Sequence, residues 1–475
     1  MKPTFVISCP IDTYSGYGAR SRDVAKAIIE MDKYEVRIMP QRWGATPWGF
    51  IEDHEEWEFL NKHMFYPQPN QQYPKPDIWM QITIPNEFMP QGHYSIGMTA
   101  GIETTLCRAE WIQGANRMNL VLGSSNHSIQ VLKDSRFQQK NQKTQQIVQE
   151  ISLNTKTEVL FEGFNENVWK KSNEYLDLPE IKESFCFLFV GHWMQGAFGH
   201  DRKNVGLLVK SFLETFKNKP KQPALIMKTS GGMISYMDRD AILKKIDDIK
   251  KTVRGKLPKI YIIHGDLLDE EMNELYNHPK VKCMVNITKG EGFGRPLLEF
   301  TQTKKPIIAT GWSGHVDFLK PDMSILLPGT LGDLHPSVRN DWFVEGAKWF
   351  DVDTMALGKA LKDMYKNYKN WTHKAKQQGN FAKENFTYSK MKEKLSRIFE
   401  ENKITYGQWI LDKNKPKKVS LKLPKLKKVG EKSKPTLPKL KLPKLKKIGE
   451  ESKPNFPTSQ FEEEYRSKFP KLKKI

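Results

Sequence analysis

"TFVISCPIDTYSGYGARSRDVAKAIIEMDKYEVRIM", Thr4 to Met39, runs from an apolar stretch through a glycine turn into a helix-period segment and out into a second apolar stretch. "TFVISC" reads as a buried strand, "PIDTYSGYGAR" as a turn, "ARSRDVAKAIIEM" as a helix and "YEVRIM" as the next strand. That order is the unit from which parallel sheets covered by helices are wound. Outward from it, "DIWMQITI", "YSIGMTA", "NLVLGSS" and "TEVLFEG" read as further strands, with helical runs such as "AEWIQGANRM" between some of them. After the charged stretch "NEYLDLPEIKES" the pattern restarts. "FCFLFVG", "PALIMKTS", "KIYIIHG", "VKCMVNIT" and "KPIIAT" are short apolar runs separated by helix-like segments beginning near Asn204, Asp238, Asp269 and Gly294. The expectation is an α/β protein of two doubly wound halves joined near residue 178.

The 475 residues, 38% of them apolar and including 12 Trp and 25 Phe, suffice for two or three cores. No apolar run approaches the roughly 20 residues of a membrane span, and "MKPTFVISCP" lacks the layout of a signal peptide, so a cytoplasmic location is expected. Cys9, Cys107, Cys186 and Cys283 are scattered, with no metal-ligand spacing, and read as buried thiols.

The formal charge of +21 is uneven, because residues 413–475 hold 21 Lys/Arg against 6 Asp/Glu. "LPKLKKVGEKSKP" at Leu423 returns as "LPKLKKIGEESKP" at Leu442, and "FPKLKKI" closes the sequence. Frequent prolines and few apolar groups predict a disordered basic tail. Such a tail suits a polyanion, either nucleic acid or an anionic membrane face, and its repeated LPKLKK units suit protein docking.

In open parallel sheets ligands sit beyond the carboxyl ends of the strands. The loop after "FCFLFVG" carries Arg202 and Lys203 at the mouth of a helix, and the loop after "VKCMVNIT" reads "KGEGFGRPLLE". Glycine turns, helix N-termini and neighbouring cations together suit a diphosphate. Pro296 fits the start of a helix, which leaves Glu291 on the loop and puts Glu299 near the first turn. A carboxylate accepts two hydrogen bonds and so matches a vicinal diol. One acid suits a ribose, the other a sugar ring.

The segment Glu291 to Glu299 resembles the E-x7-E signature of family-4 retaining glycosyltransferases of the GT-B fold. The resemblance extends over residues 1–402. It includes the loop at Gly16 and Gly18, "GSSNHSIQVL", "EGFNENVW", "RKN" at Arg202 to Asn204, "WSGHVDFL" at Ser313 and the final helices. It implies an N-terminal Rossmann-like domain on the acceptor side (1–177), a C-terminal one on the nucleotide-sugar side (178–385) and a helix crossing back (386–412), to which the basic tail read above (413–475) is added. It also implies retaining transfer of a hexosyl or pentosyl group from a nucleotide sugar, without a bound metal or other cofactor. Arg202 and Lys203 would bind the diphosphate, Glu291 the sugar hydroxyls and Glu299 the ribose, with Gly16, Gly292, Phe293, Gly294 and Gly314 near the donor.

Two positions depart from the family. Where many relatives have a histidine after the strand corresponding to "YSIGMTA", this sequence reads "AGIETT", which brings Glu103 forward as a residue facing the reaction centre. His192 stands where an arginine or lysine often follows the glycine corresponding to Gly191. The acceptor is left open between DNA bases and a cell-surface glycan or lipid, with a DNA or inner-membrane association following from the tail. The alternative is a non-catalytic sugar-nucleotide or polyanion binder. The D-x-D matches at Asp238–Asp240 and Asp351–Asp353 read as helix capping, and the aromatic cluster Trp43 to Phe50 as core or domain-cleft packing outside the site.

Overall fold

A computed structural model describes residues 2–140, 147–232 and 234–404. The tail expected at 413–475, and residues 405–412 of the expected crossing segment, lie outside the described residues.

The amino-terminal strands are β1 (Thr4–Cys9), β2 (Glu35–Pro40), β3 (Ile78–Ile82), β4 (Tyr94–Thr99), β5 (Leu120–Gly123), β6 (Phe137–Lys140), β7 (Ile147–Ile151) and β8 (Lys156–Val159). Six of them form a parallel sheet in the order β2-β1-β3-β4-β5-β8. The pair β6 and β7 stands apart as an antiparallel hairpin. The second lobe supplies β9 (Cys186–Val190), β10 (Ala224–Lys228), β11 (Ile260–Ile263), β12 (Val281–Asn286), β13 (Ile307–Thr310) and β14 (Ile325–Leu327), again parallel, in the order β11-β10-β9-β12-β13-β14. Strands such as β3, β5 and β13 are buried at every residue, as sheets covered on both faces require. That is why they stood out as apolar runs. A second hairpin, β15 (Gly329–Asp333) with β16 (Lys348–Val352), lies outside the six-stranded sheet.

Helix α1 (Gly16–Glu30) starts where Ser15 accepts a hydrogen bond from the Gly18 amide. Gly18 is required there, since a Cβ would lie 2.2 Å from the Thr13 carbonyl oxygen. The last helix, Tyr388–Glu401, returns to the first lobe. Its Phe399 ring sits 5.8 Å from Phe5, and Lys392 pairs with Glu30 at 2.8 Å. All four cysteines are free and buried. Among the described residues no helix is long and apolar enough to cross a membrane.

The capping reading of the D-x-D matches holds for Asp353, whose side chain accepts from the Met355 and Ala356 amides. It fails for Asp238. Ser235 caps that helix, and Asp238 instead accepts from the Gly231 amide and contacts His264.

Candidate active site between the lobes

Helix Val205–Phe216 begins just past Asn204, whose φ is 57°, and the buried Asp201 carboxylate accepts from the Val205 amide at 3.1 Å. This fixes the preceding pair, Arg202 and Lys203, at the carboxyl edge of the second sheet. The Arg202 carbonyl accepts from the Lys289 amide at 2.8 Å, and Arg202 Nη1 donates to the Gly290 carbonyl at 2.9 Å. The two loops found in the sequence are thereby tied together.

Lys203 Nζ lies 2.5 Å from Glu291 Oε1. Arg202 Nη1 lies 3.5 Å from Glu291 Oε2 and 3.2 Å from Glu103 Oε1. Glu103 comes from the first lobe, so Arg202 bridges the two. Burial pushes the Glu291 carboxyl up, but Lys203 and Arg202 override it and hold the group at about 2. Glu291 is therefore a carboxylate throughout the neutral range.

The glycines around Glu291 admit the other lobe. A Cβ on Gly290 would sit 2.3 Å from the Glu103 carbonyl oxygen, and one on Gly292 would sit 2.7 Å from that of Ala100. Gly314 is needed for the same reason inside the second lobe, where its Cβ would fall 2.1 Å from the Gly292 carbonyl oxygen. Its amide already donates to the Glu291 carbonyl at 3.0 Å. The Phe293 ring is buried, with its centroid 5.1 Å from that of Phe318, which leaves its backbone as the part that can face a ligand. Gly294 has φ of 95° and begins helix Arg295–Thr301, with Pro296 in its first turn. Gly16 faces open space at the start of α1.

Glu299 stands in a different set of ion pairs from Glu291. Its Oε1 is 2.9 Å from Arg295 Nε, and Arg295 Nη1 reaches Asp23 on α1 at 2.7 Å. Burial raises the Glu299 carboxyl to about 8, with Asp269 and Asp23 adding to the rise and Arg295 opposing it. The motif's two acids thus titrate on opposite sides of an ordinary carboxyl.

Sequence reading missed Arg295 and Asp23. The Arg295 to Glu299 spacing of four is a usable signal on a helix, but Asp23 is 272 residues away from Arg295. It also left Trp43 outside the site. Trp43 is half-buried, stacks on Tyr17 with centroids 4.0 Å apart, and lines a cavity of about 550 Å³ whose wall includes Glu103 and Arg202.

No protein-family model and no curated protein matches the sequence. Solved structures do match by shape. The chain is similar to a glycosyltransferase from Rickettsia africae, with TM-score 0.56 and 15% identity over 84% of this chain and 98% of that one. It is similar to a sucrose-phosphate synthase from Thermosynechococcus elongatus, with TM-score 0.54 and 13% identity over 86% and 100%. Anabaena HepE, solved in complex with UDP and glucose, matches with TM-score 0.50 and 11% identity over 84% and 100%. At these identities the likeness establishes architecture: the chain has the two-lobed GT-B fold of glycosyltransferases.

Proposed function

We propose that the protein is a retaining glycosyltransferase that moves a hexosyl or pentosyl group from a nucleotide sugar to an acceptor. The observation that carries this reading is the convergence of Arg202, Lys203, Glu291 and Glu103 where the lobes meet. In the reaction the bond between the anomeric carbon and the diphosphate oxygen breaks and the diphosphate leaves with the electron pair, while the acceptor's hydroxyl oxygen bonds the anomeric carbon on that same face and gives its proton to the departing diphosphate. Arg202 and Lys203 are the fixed cations that neutralise this growing charge, so no metal is invoked. Removing one such donor typically costs about 2.7–4 kcal/mol of barrier.

Glu291 would orient sugar hydroxyls as an acceptor of hydrogen bonds, and Glu299 the ribose. Gly16 would offer its backbone to the donor from the first lobe, with Gly292 and Gly294 on the other side. Arg202 makes its three contacts through Nη1. The guanidinium has further N–H groups for a phosphate oxygen. The fold is shared with HepE, which was solved with UDP and glucose, and this supports a nucleotide-sugar donor.

The tail is assigned a tethering role, drawing the body to DNA, to an anionic membrane face, or to a partner protein through LPKLKK. The test is nucleoside diphosphate release from a panel of nucleotide sugars, followed by NMR of the product's anomeric coupling. Release with retained configuration is expected. Donor binding without any release would replace this reading with the non-catalytic binder.

A further inference from the structure

The cavity beside Arg202 has two aromatic walls from different lobes. From the first lobe, Trp43 is braced by Tyr17, whose hydroxyl contacts Thr99 Oγ1 at 3.0 Å and accepts from the Ala100 amide at 3.0 Å. From the second, the segment between β15 and β16 brings Trp342, which is 47% exposed, and the fully buried Trp349 of β16 lines the same cavity. That segment is fastened to the first lobe. The Thr105 amide donates to the Lys348 carbonyl at 2.8 Å, the Lys348 amide donates to Thr105 Oγ1 at 2.9 Å, and Arg108 donates to the Asp341 carbonyl.

We infer that this cavity is the acceptor site and that its occupant is a neutral saccharide, bound with ring faces against Trp43 and Trp342 and with an attacking hydroxyl directed toward Glu103. The inference rests on the glycosyltransferase reading for the word acceptor, but the saccharide site stands on its own geometry.

Three features favour a sugar. Its volume of about 550 Å³ falls in the range of roughly 300–1,000 Å³ typical of small-molecule sites. Rigid aromatic faces suit the apolar CH face of a pyranose, while Gln195, Asn340 and Glu103 on the same wall can exchange hydrogen bonds with its hydroxyls. The charged groups of the lining are Arg202, Arg339 and Glu103, and Arg202 is the cation assigned above to the donor's diphosphate, which leaves Arg339 and an acid. A nucleic-acid strand brings one negative charge per nucleotide and calls for a track of unpaired cations beside its stacking platforms. The lining supplies no such track.

The test is saturation-transfer NMR on the full chain with methyl glycosides and disaccharides of common hexoses, N-acetylhexosamines and pentoses, and with a short oligothymidylate. Saturation of sugar ring protons for at least one saccharide is expected. Trp342→Ala and Trp43→Ala should each weaken that binding at least tenfold, and Trp342→Phe should restore most of it. Saturation of the oligothymidylate alone, of no probe, or equal saccharide binding in Trp342→Ala would overturn the proposal. Nucleoside diphosphate binding, followed in the same samples, separates the two claims. If it is absent while saccharide binding persists, the transferase reading fails and the saccharide site remains. If it persists without saccharide binding, the cavity assignment fails alone.

Discussion

At the scale of single residues, charge governs the site. Lys203 faces Glu291 at 2.5 Å, so Lys203→Ala removes the proposed diphosphate partner and leaves a buried carboxylate with one cation fewer. Turnover should fall about 10²–10³-fold, measured as nucleoside diphosphate released per second at saturating acceptor. The motif's acids give a second prediction with opposite signs. Glu291 is held at about 2 against an ordinary 4.5, so its contribution to stability is complete above pH 4.5 and is lost as pH falls toward 2. Glu299 is raised to about 8, so stability associated with it is complete below pH 4.5 and is lost as pH rises toward 8. Urea unfolding of wild type, Glu291→Gln and Glu299→Gln across pH 3 to 9 should show the two wild-type-minus-variant differences moving in opposite directions. Parallel movement would contradict the assignment.

Among elements, the glycine loop between β12 and the helix Arg295–Thr301 does more than approach a ligand. Because a Cβ at Gly292 would lie 2.7 Å from the Ala100 carbonyl oxygen, Gly292→Ala wedges the lobes apart. Overpacking of this kind costs ~1–3 kcal/mol, and small-angle scattering should report a larger radius of gyration with helix content unchanged. An unchanged radius would mean the lobes do not depend on this contact. How much of this was readable beforehand depended on the kind of signal. All six strands of the first sheet and five of the second were legible because buried parallel strands are continuous apolar runs, whereas the three-residue edge strand β14 was missed; the meeting of Arg202, Lys203 and Glu291 was legible because the loops that carry them follow such runs. The hairpin β15–β16 was not, since "GTLGD" lacks strand alternation and its partner begins 15 residues after it ends. The spent Gly314 amide and the Asp23–Arg295 pair are products of tertiary packing between distant segments, and no local pattern encodes them.

For the whole molecule, the last helix joins the ends of the body. Phe399 packs on Phe5 and Tyr34, and Tyr388 donates to Glu30 at 3.0 Å. Phe399→Ala should therefore cost ~3–5 kcal/mol, seen as a lower urea midpoint. Deletion of 413–475, by contrast, should leave that midpoint unchanged and weaken low-salt binding to duplex DNA or anionic vesicles, because it removes a net +15. Loss of neither would assign the repeats to protein docking.

Arg202 and Lys203 are proposed to grip a nucleotide's diphosphate beside Glu291. Isothermal titration of UDP, GDP, ADP, CDP and TDP into wild type and Lys203→Ala tests it most directly. At least one nucleotide should bind wild type and lose at least tenfold in affinity on the substitution. Binding of none of the five, or equal binding by both proteins, would contradict it.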